Sequence, residues 1–349
     1  MPDVVHTADV HLAQGHPERE AALAAVLDVA EEAGASVVTI GGDLFHEPHD
    51  VDAIRPTLRT DLFANRTVEI VVIPGNHDRE GFRGDTYFGD SCTPLLDEPF
   101  EHHIPAGLNC RITGVPFIDR PDDDLFVALA DREPFDGPEL LLVHCTLDIG
   151  FAGTSTGDEA ERHYFPVTPH QLDELGFDYV LAGHFHQPRR ESLESGVFAY
   201  PGTPASTTRT ETGPRAAVAV DLDAQALGFE TLATHHIEET RLEVLPGGED
   251  ALFDEVEAWV ESAVREETEA RIVVDGFHEL DEEAFSERLH TAAGPAEVTD
   301  RTVTAGRLRS HALYQTFEDR LEETEWDDEV VDAVRLRTLE AFNRVRGEL

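Results

Sequence analysis

Five short polar blocks restrict what this chain can fold into more than any other feature of it. They are Asp9-Val10-His11, Gly42-Asp43, Gly75-Asn76-His77-Asp78, His144 and Gly183-His184-Phe185-His186. Each lies at or just past the end of an apolar run, at residues 3–7, 36–40, 68–73, 140–143 and 179–182. Runs such as 140–143 and 179–182 are continuous rather than alternating, as in strands buried on both faces. Residues 18–33 and 51–62 carry helical patterns, the first closed by Gly34 at its C-cap. Strands separated by helices predict a layered α/β sheet, and such folds place their sites beyond the strand ends. Any one block is weak evidence, since a lone Gly-Asp is usually a turn and the pair recurs at Gly84-Asp85. Their order, each behind a strand, carries the reading.

The residue types suit one chemistry. A mixture of imidazole, carboxylate and amide donors points to first-row divalent metals. In Asp9-Val10-His11 the i, i+2 spacing in extended backbone would put both side chains on one side, converging on one ion. Asp43 can bridge two ions through its two oxygens, with Gly42, Gly75 and Gly183 expected to supply sharp turns. Two ions about 3.5–4 Å apart would activate a water and clamp phosphate oxygens during in-line displacement.

The five blocks resemble those of the calcineurin-like metallophosphoesterase superfamily, and within it the SbcD-type DNA double-strand-break repair exonucleases. Three segments carry the narrower resemblance: Asp43-Leu44-Phe45-His46; Phe177-Asp178-Tyr179-Val180 leading into Ala182-Gly183-His184-Phe185-His186-Gln187-Pro188; and Tyr200-Pro201-Gly202-Thr203-Pro204. The resemblance implies a four-layer αββα sandwich. It implies that Asp9, His11 and His186 hold one metal, that Asn76, His144 and His184 hold a second, and that Asp43 bridges. It further implies manganese as the metal, His77 as the catalytic histidine, Asp78 as the residue that orients it, and His46 as a second active-site histidine. Bracing the neighbouring ligands without touching substrate is the alternative role for His46 and Asp78. The chain would then be a DNA nuclease of repair. Two other classes stay open: a small-molecule phosphodiesterase or phosphatase with the same metal ligands, and a non-catalytic metal-bearing scaffold.

After residue 228 a second pattern begins, strand 234–244, helix 252–264, strand 270–274, helix 282–289 and strand 297–304. The expected organisation is a catalytic domain over 1–227, a smaller α/β capping domain over 228–305 that contacts DNA in the family, and a helical tail over 306–349. The family's SMC-like ATPase partner binds a C-terminal helical segment, for which 310–349 would serve; a helical brace on the catalytic domain is the other reading. The family's dimerisation helix after Gly75-Asn76-His77-Asp78 is cut short here by Gly84, Gly89, Pro94 and Pro99, which counts against a family-style homodimer.

Charge complicates the DNA reading. Seventy-two acidic residues face 26 basic ones for a net charge of −46, and every basic residue is arginine. Acids spread through periodic segments fit a halophilic surface, where the Debye length falls to roughly 3 Å at 1 M salt. In that setting local arginines matter more than net charge. Arg79, Arg83, Arg189, Arg190, Arg209 and Arg215, on loops beside the blocks, are the candidate phosphate contacts. His6, inside the first strand, reads as a packed core residue, and Cys145 as a small core residue. Three scattered cysteines, no basic leader and no apolar stretch of roughly 18 residues predict a cytoplasmic protein with no membrane partner.

Overall fold

The computed structural model describes residues 1–148 and 163–345. Residues 346–349 of the expected tail lie outside the described residues. The chain opens with β1 (Val4–Thr7), α1 (Pro17–Ala33), β2 (Val37–Gly41), α2 (Pro48–Thr57) and β3 (Glu69–Ile73). It continues through β4 (Cys92–Pro94), β5 (Glu101–His103), β6 (Arg111–Gly114), α3 (Asp123–Ala130), β7 (Glu139–His144) and β8 (Thr146–Leu147). Then come β9 (Pro166–Val167), α4 (Pro169–Leu175), β10 (Tyr179–Gly183), β11 (Arg189–Ser192), β12 (Val197–Tyr200), β13 (Ala216–Asp221) and β14 (Ala226–Thr231).

These strands form two six-stranded sheets, in the orders β14-β13-β1-β2-β3-β4 and β11-β12-β10-β7-β6-β5. Strands β1 to β4 run parallel, as do β12, β10, β7 and β6, with antiparallel strands at the edges. Side-chain alternation along each strand then sorts the layers. Val4, Val37, Val71 and Ile73 of the first sheet share one buried cluster with Ile112, Leu140, Leu142 and Leu181 of the second. Their neighbours face outward: Val5, Val38, Ile70 and Val72 pack against Leu23, Val26 and Leu27 of α1. Leu141, Val143, Val180 and Ala182 pack against Leu125 and Leu129 of α3 and Leu172 and Leu175 of α4. The result is the expected αββα arrangement. Gly34 caps α1 at φ +74°, the left-handed turn the sequence predicts.

The helix expected over 51–62 is broken: α2 contains Pro56 and ends at Thr57, and Leu58–Leu62 forms a wider π-type turn. A proline removes a backbone donor and crowds the preceding turn, which accounts for the change. Between Gly84 and Pro99 the described residues hold only the short β4 and no helix, as the glycines and prolines there predict.

His6 is wholly buried, its Nδ1 3.0 Å from Thr39 Oγ1 on β2 and its Nε2 3.2 Å from Ala182 O on β10. It is the satisfied core residue expected, and it ties one sheet to the other. Burial lowers its pKa to about 4.

A second compact unit spans Ile237–Leu349. It contains β15 (His236–Val244), α5 (Glu249–Ala263), β16 (Thr268–His278), α6 (Glu282–Ala293) and β17 (Glu297–Thr304), with the strands in the order β15-β16-β17. Leu252, Phe253 and Val256 of α5 and Phe285 and Leu289 of α6 bury against Ile272 and Val274. Three helices follow, α7 (Ala305–Arg309), α8 (Ala312–Glu322) and α9 (Asp328–Val345), the last two joined by an Arg335–Glu318 ion pair at 3.0 Å.

Candidate metal centre

Parallel register gathers the five blocks at one edge. Thr7 pairs with Ile40, Gly41 with Ile73, and His144 with Gly183, so each block leaves its strand at the same level. Beyond β1 the loop runs beside the one beyond β2: the Asp9, His11 and Leu12 amides donate to Gly42 O, Asp43 O and Leu44 O at 3.1, 2.9 and 2.9 Å.

The local backbone differs from the extended segment expected. Asp9, His11 and Asp43 sit at φ +53°, +51° and +51°, and His184 at +108°. Side chains converge because the chain coils left-handed at each ligand, not because of strand alternation. Such conformations cost about 1–3 kcal/mol each for residues other than glycine. The ladder of backbone bonds holds them, together with buried Arg19, whose Nη1 donates to His11 O at 2.7 Å. Gly42, at φ +99°, does turn left-handed; Gly75 and Gly183 do not. Gly75 is needed for proximity, since a Cβ there would lie 2.1 Å from Asp43 Oδ1.

Among the described residues, three overlapping groups of donor atoms result, each with its members within 4.8 Å of one another: Asp9, His11 and His186; Asp9, Asp43 and His144; His11, His46 and His77. The Asp43 Oδ2 atom lies between the first two, 3.3 Å from His144 Nε2 and 4.0 Å from His11 Nε2. Its Oδ1 accepts from the His77 amide at 2.9 Å. The Asn76 Oδ1 atom is 2.9 Å from His144 Nε2, and the His184 ring packs edge-on against His144 at 5.4 Å. His184 N donates to both oxygens of Asp9 at 3.0 Å. Of the expected ligands, Asp9, His11, Asp43, His144 and His186 fall within these groups, and Asn76 and His184 lie beside His144.

The donor set fits divalent ions. His11 Nε2 and His186 Nε2 face each other at 3.3 Å, while His11 Nδ1 is buried without a hydrogen-bond partner. Two imidazole nitrogens brought face to face beside buried carboxylates are the kind of donor set that first-row divalent cations take. Packing them so closely also redistributes protons. Burial, reinforced by Asp43, raises Asp9 to about 6. Burial opposes the charging of His144, but Asp43's charge and hydrogen bond raise it to about 9. Asp43 is held far below the carboxylate range: burial works against this, and His144, His11 and His77 outweigh it. His11 falls well below its usual value, chiefly through burial.

His77 and His46 flank this focus. The half-buried His77 ring stacks on the exposed His46 ring at 5.5 Å, and its Nδ1 donates to His46 O at 2.9 Å. Asp78 is fully buried and accepts from Gly75 N at 2.7 Å and Phe45 N at 3.0 Å, bracing the turn that presents His77. Burial and Asp43's charge raise Asp78 to about 7.

The arginines are placed less simply. Arg79 pairs with Glu98 at 3.2 Å, Arg83 with Glu80 at 2.5 Å and Arg189 with Glu191. Arg190 Nη1 donates to Leu227 O at 3.2 Å, and Arg209 is exposed. Arg215 corrects the expectation of a loop cation open to phosphate: it is 1% exposed, with Thr203 and Gln187 as partners. Cys145 is buried, and burial pushes its thiol up, as for an inert core residue.

The sequence reading missed Glu211. It is wholly buried, 2.6 Å from His186 Nδ1, and although burial opposes it, bonds from His186 and Thr207 lower it to about 2. A lone glutamate in the run Thr207-Thr208-Arg209-Thr210-Glu211-Thr212 looks like surface, and only the excess of neighbouring hydroxyls hints at a polar cage.

Residues 2–188 match the family described as calcineurin-like phosphoesterase. Similar solved structures include a protein of Thermus thermophilus, at 16% identity and TM-score 0.43, covering 65% of this chain and 97% of that one. A dimetal phosphatase from Danio rerio is 14% identical with TM-score 0.42, covering 66% of this chain and 96% of its own. The purple acid phosphatase PPD1 of yellow lupin is 14% identical with TM-score 0.44, covering 65% of this chain and 51% of that one.

Proposed function

Because the chain belongs to the calcineurin-like phosphoesterase family, we propose that it is a two-metal DNA nuclease of the SbcD type, using manganese in a salt-rich cytoplasm. Phosphoester hydrolysis with divalent metal is the family's chemistry; the nuclease assignment is our reading. One observation carries it: His46, of the Asp43-Leu44-Phe45-His46 motif, stands with His77 and His11 in a single group of donor atoms. That second histidine is the feature of the site that resembles the nucleases in particular.

In this reading Asp9, His11 and His186 hold one ion, Asn76, His144 and His184 the other, and Asp43 both. The ions, when bound, supply an activated water and neutralise charge on the phosphate. His77, with Nδ1–H committed to His46 O, would in its imidazolium form carry a second proton on Nε2 and deliver it to the leaving oxygen. Asp78 keeps its turn rigid, and His46 places the substrate. The α/β part of the second unit, from Ile237 through β17, contacts DNA, and the helices that follow it take an ATPase partner.

A second reading, a small-molecule phosphoesterase, is favoured by the arginines. Arg79, Arg83 and Arg189 already face carboxylates, and a duplex would have to displace them. The two readings separate in one assay: manganese-dependent cleavage of linear duplex DNA in molar KCl, beside a generic phosphodiester dye. We expect DNA to be degraded, and His77→Ala to slow this by about 10²–10⁴-fold with metal content unchanged. Turnover of the dye with DNA intact would move the protein to the small-molecule class.

A further inference from the structure

We propose that Glu211 is a positioning residue of the metal centre: its carboxylate accepts a hydrogen bond from His186 Nδ1–H and thereby fixes that ring with Nε2 presented to the ion in the Asp9–His11 half. The inference rests on the ligand assignment above and adds to it a residue outside the five blocks.

Two oxygens of Glu211 receive five bonds. Oε1 is 2.6 Å from His186 Nδ1 and accepts from Thr207 Oγ1 at 2.9 Å and Thr208 Oγ1 at 3.1 Å. Oε2 accepts from Thr207 N at 2.7 Å and Thr203 Oγ1 at 3.1 Å. The Thr207 amide can only donate, and Arg215 Nη1 stands 4.0 Å away, so the group is a carboxylate and an acceptor throughout. His186 Nδ1 must then be the donor. In a neutral imidazole that leaves the lone pair on Nε2, the atom facing His11 Nε2 at 3.3 Å.

A charge buried to this extent is tolerated only when every lone pair is met. The cage of hydroxyls serves that end, and Ser206 Oγ, donating to Glu211 O at 2.6 Å, closes the loop around it. A loop anchor alone would need no contact with a ligand. Here the shortest of the five side-chain bonds goes to His186, which separates positioning from mere anchoring. Carboxylates in this relation to a ligating histidine fix its tautomer and raise its basicity, and their removal lowers metal affinity about 10–100-fold.

The test titrates Mn²⁺ into the full-length, chelator-stripped protein and counts ions bound, for the wild type, Glu211→Ala, Glu211→Gln and His186→Ala. We expect Glu211→Ala to weaken one of two ions by about 10–100-fold and leave the other unchanged, with Glu211→Gln, which keeps an acceptor oxygen, losing less. His186→Ala should lose the same ion. Two ions bound at wild-type affinity in both Glu211 variants, with one lost in His186→Ala, would overturn the role of Glu211 alone. Two ions retained in His186→Ala would overturn the ligand assignment and this inference with it. Should Glu211→Ala fail to fold, nitrogen NMR of the wild type loaded with Zn²⁺ decides: a proton on His186 Nδ1 supports the proposal, and its absence overturns it.

Discussion

The two halves of the metal centre are supported by different kinds of partner. On one side His186 donates to a buried carboxylate, Glu211, at 2.6 Å. On the other, His144 Nδ1 donates to a backbone carbonyl, Gly41 O, at 2.9 Å. The ligands differ in the same sense: each half has two imidazoles, but a carboxylate, Asp9, accompanies His11 and His186 while a neutral amide, Asn76, lies next to His144. An anionic acceptor makes its imidazole a stronger donor than a neutral one does. The comparison teaches that similar ligand sets need not make equivalent pockets: on the proposed ligand assignment we expect an ion to be held more tightly on the Glu211 side than on the Gly41 side.

The largest effect should come from removing what the halves share. Asp43→Asn takes the bridging charge from both, and we expect both ions to weaken and hydrolysis to fall on the order of 10³-fold or more. Metal counting checks this, and one ion held at full affinity would break the idea of a bridge. Next in size is the asymmetry itself. A Mn²⁺ titration of the wild type should show two steps about 10–100-fold apart, and His144→Ala should abolish the weaker step only. Two equal steps, or loss of the tighter one, would reverse the comparison.

A separate effect, on folding stability rather than metal binding, concerns His6, which joins the two sheets. Buried and neutral, it titrates near 4 when folded, against an ordinary 6.5. As pH falls below 6.5 the unfolded chain takes up this proton first, so stability drops until about 4, where the folded protein is protonated too. The loss is at most about 3 kcal/mol. Denaturant unfolding of the wild type and His6→Gln between these pH values reads it as a narrowing gap between the two. A constant gap would show that His6 does not couple the sheets through its charge state.

Much of this centre was legible in the sequence because each block follows a buried strand whose apolar run is unmistakable. Asp9, Asp43 and His144 are located by the hydrophobic residues before them. The layers followed from the same runs, and His6 was read correctly from its place within one. What stayed hidden lacked such a marker. β4 and β5 have three residues each, too few for periodicity. Glu211 is buried by hydrogen bonds to Thr203, Thr207 and Thr208, a tertiary fact no local pattern carries. Arg215 reads like any loop arginine until its neighbours close over it. The coiling at Asp9 and His11 was misjudged for a related reason. Spacing of two residues suits a strand, while the ladder to residues 42–44 that overrides it joins segments more than thirty positions apart.

That coiling carries an evolutionary consequence. At φ near +50°, positions 9, 11 and 43 would be more comfortable as glycine than as aspartate or histidine. A laboratory selection for thermal stability alone would drift toward glycine and discard the metal ligands one at a time. Two aspartates and a histidine in such postures trade backbone ease for the donor atoms they bring together.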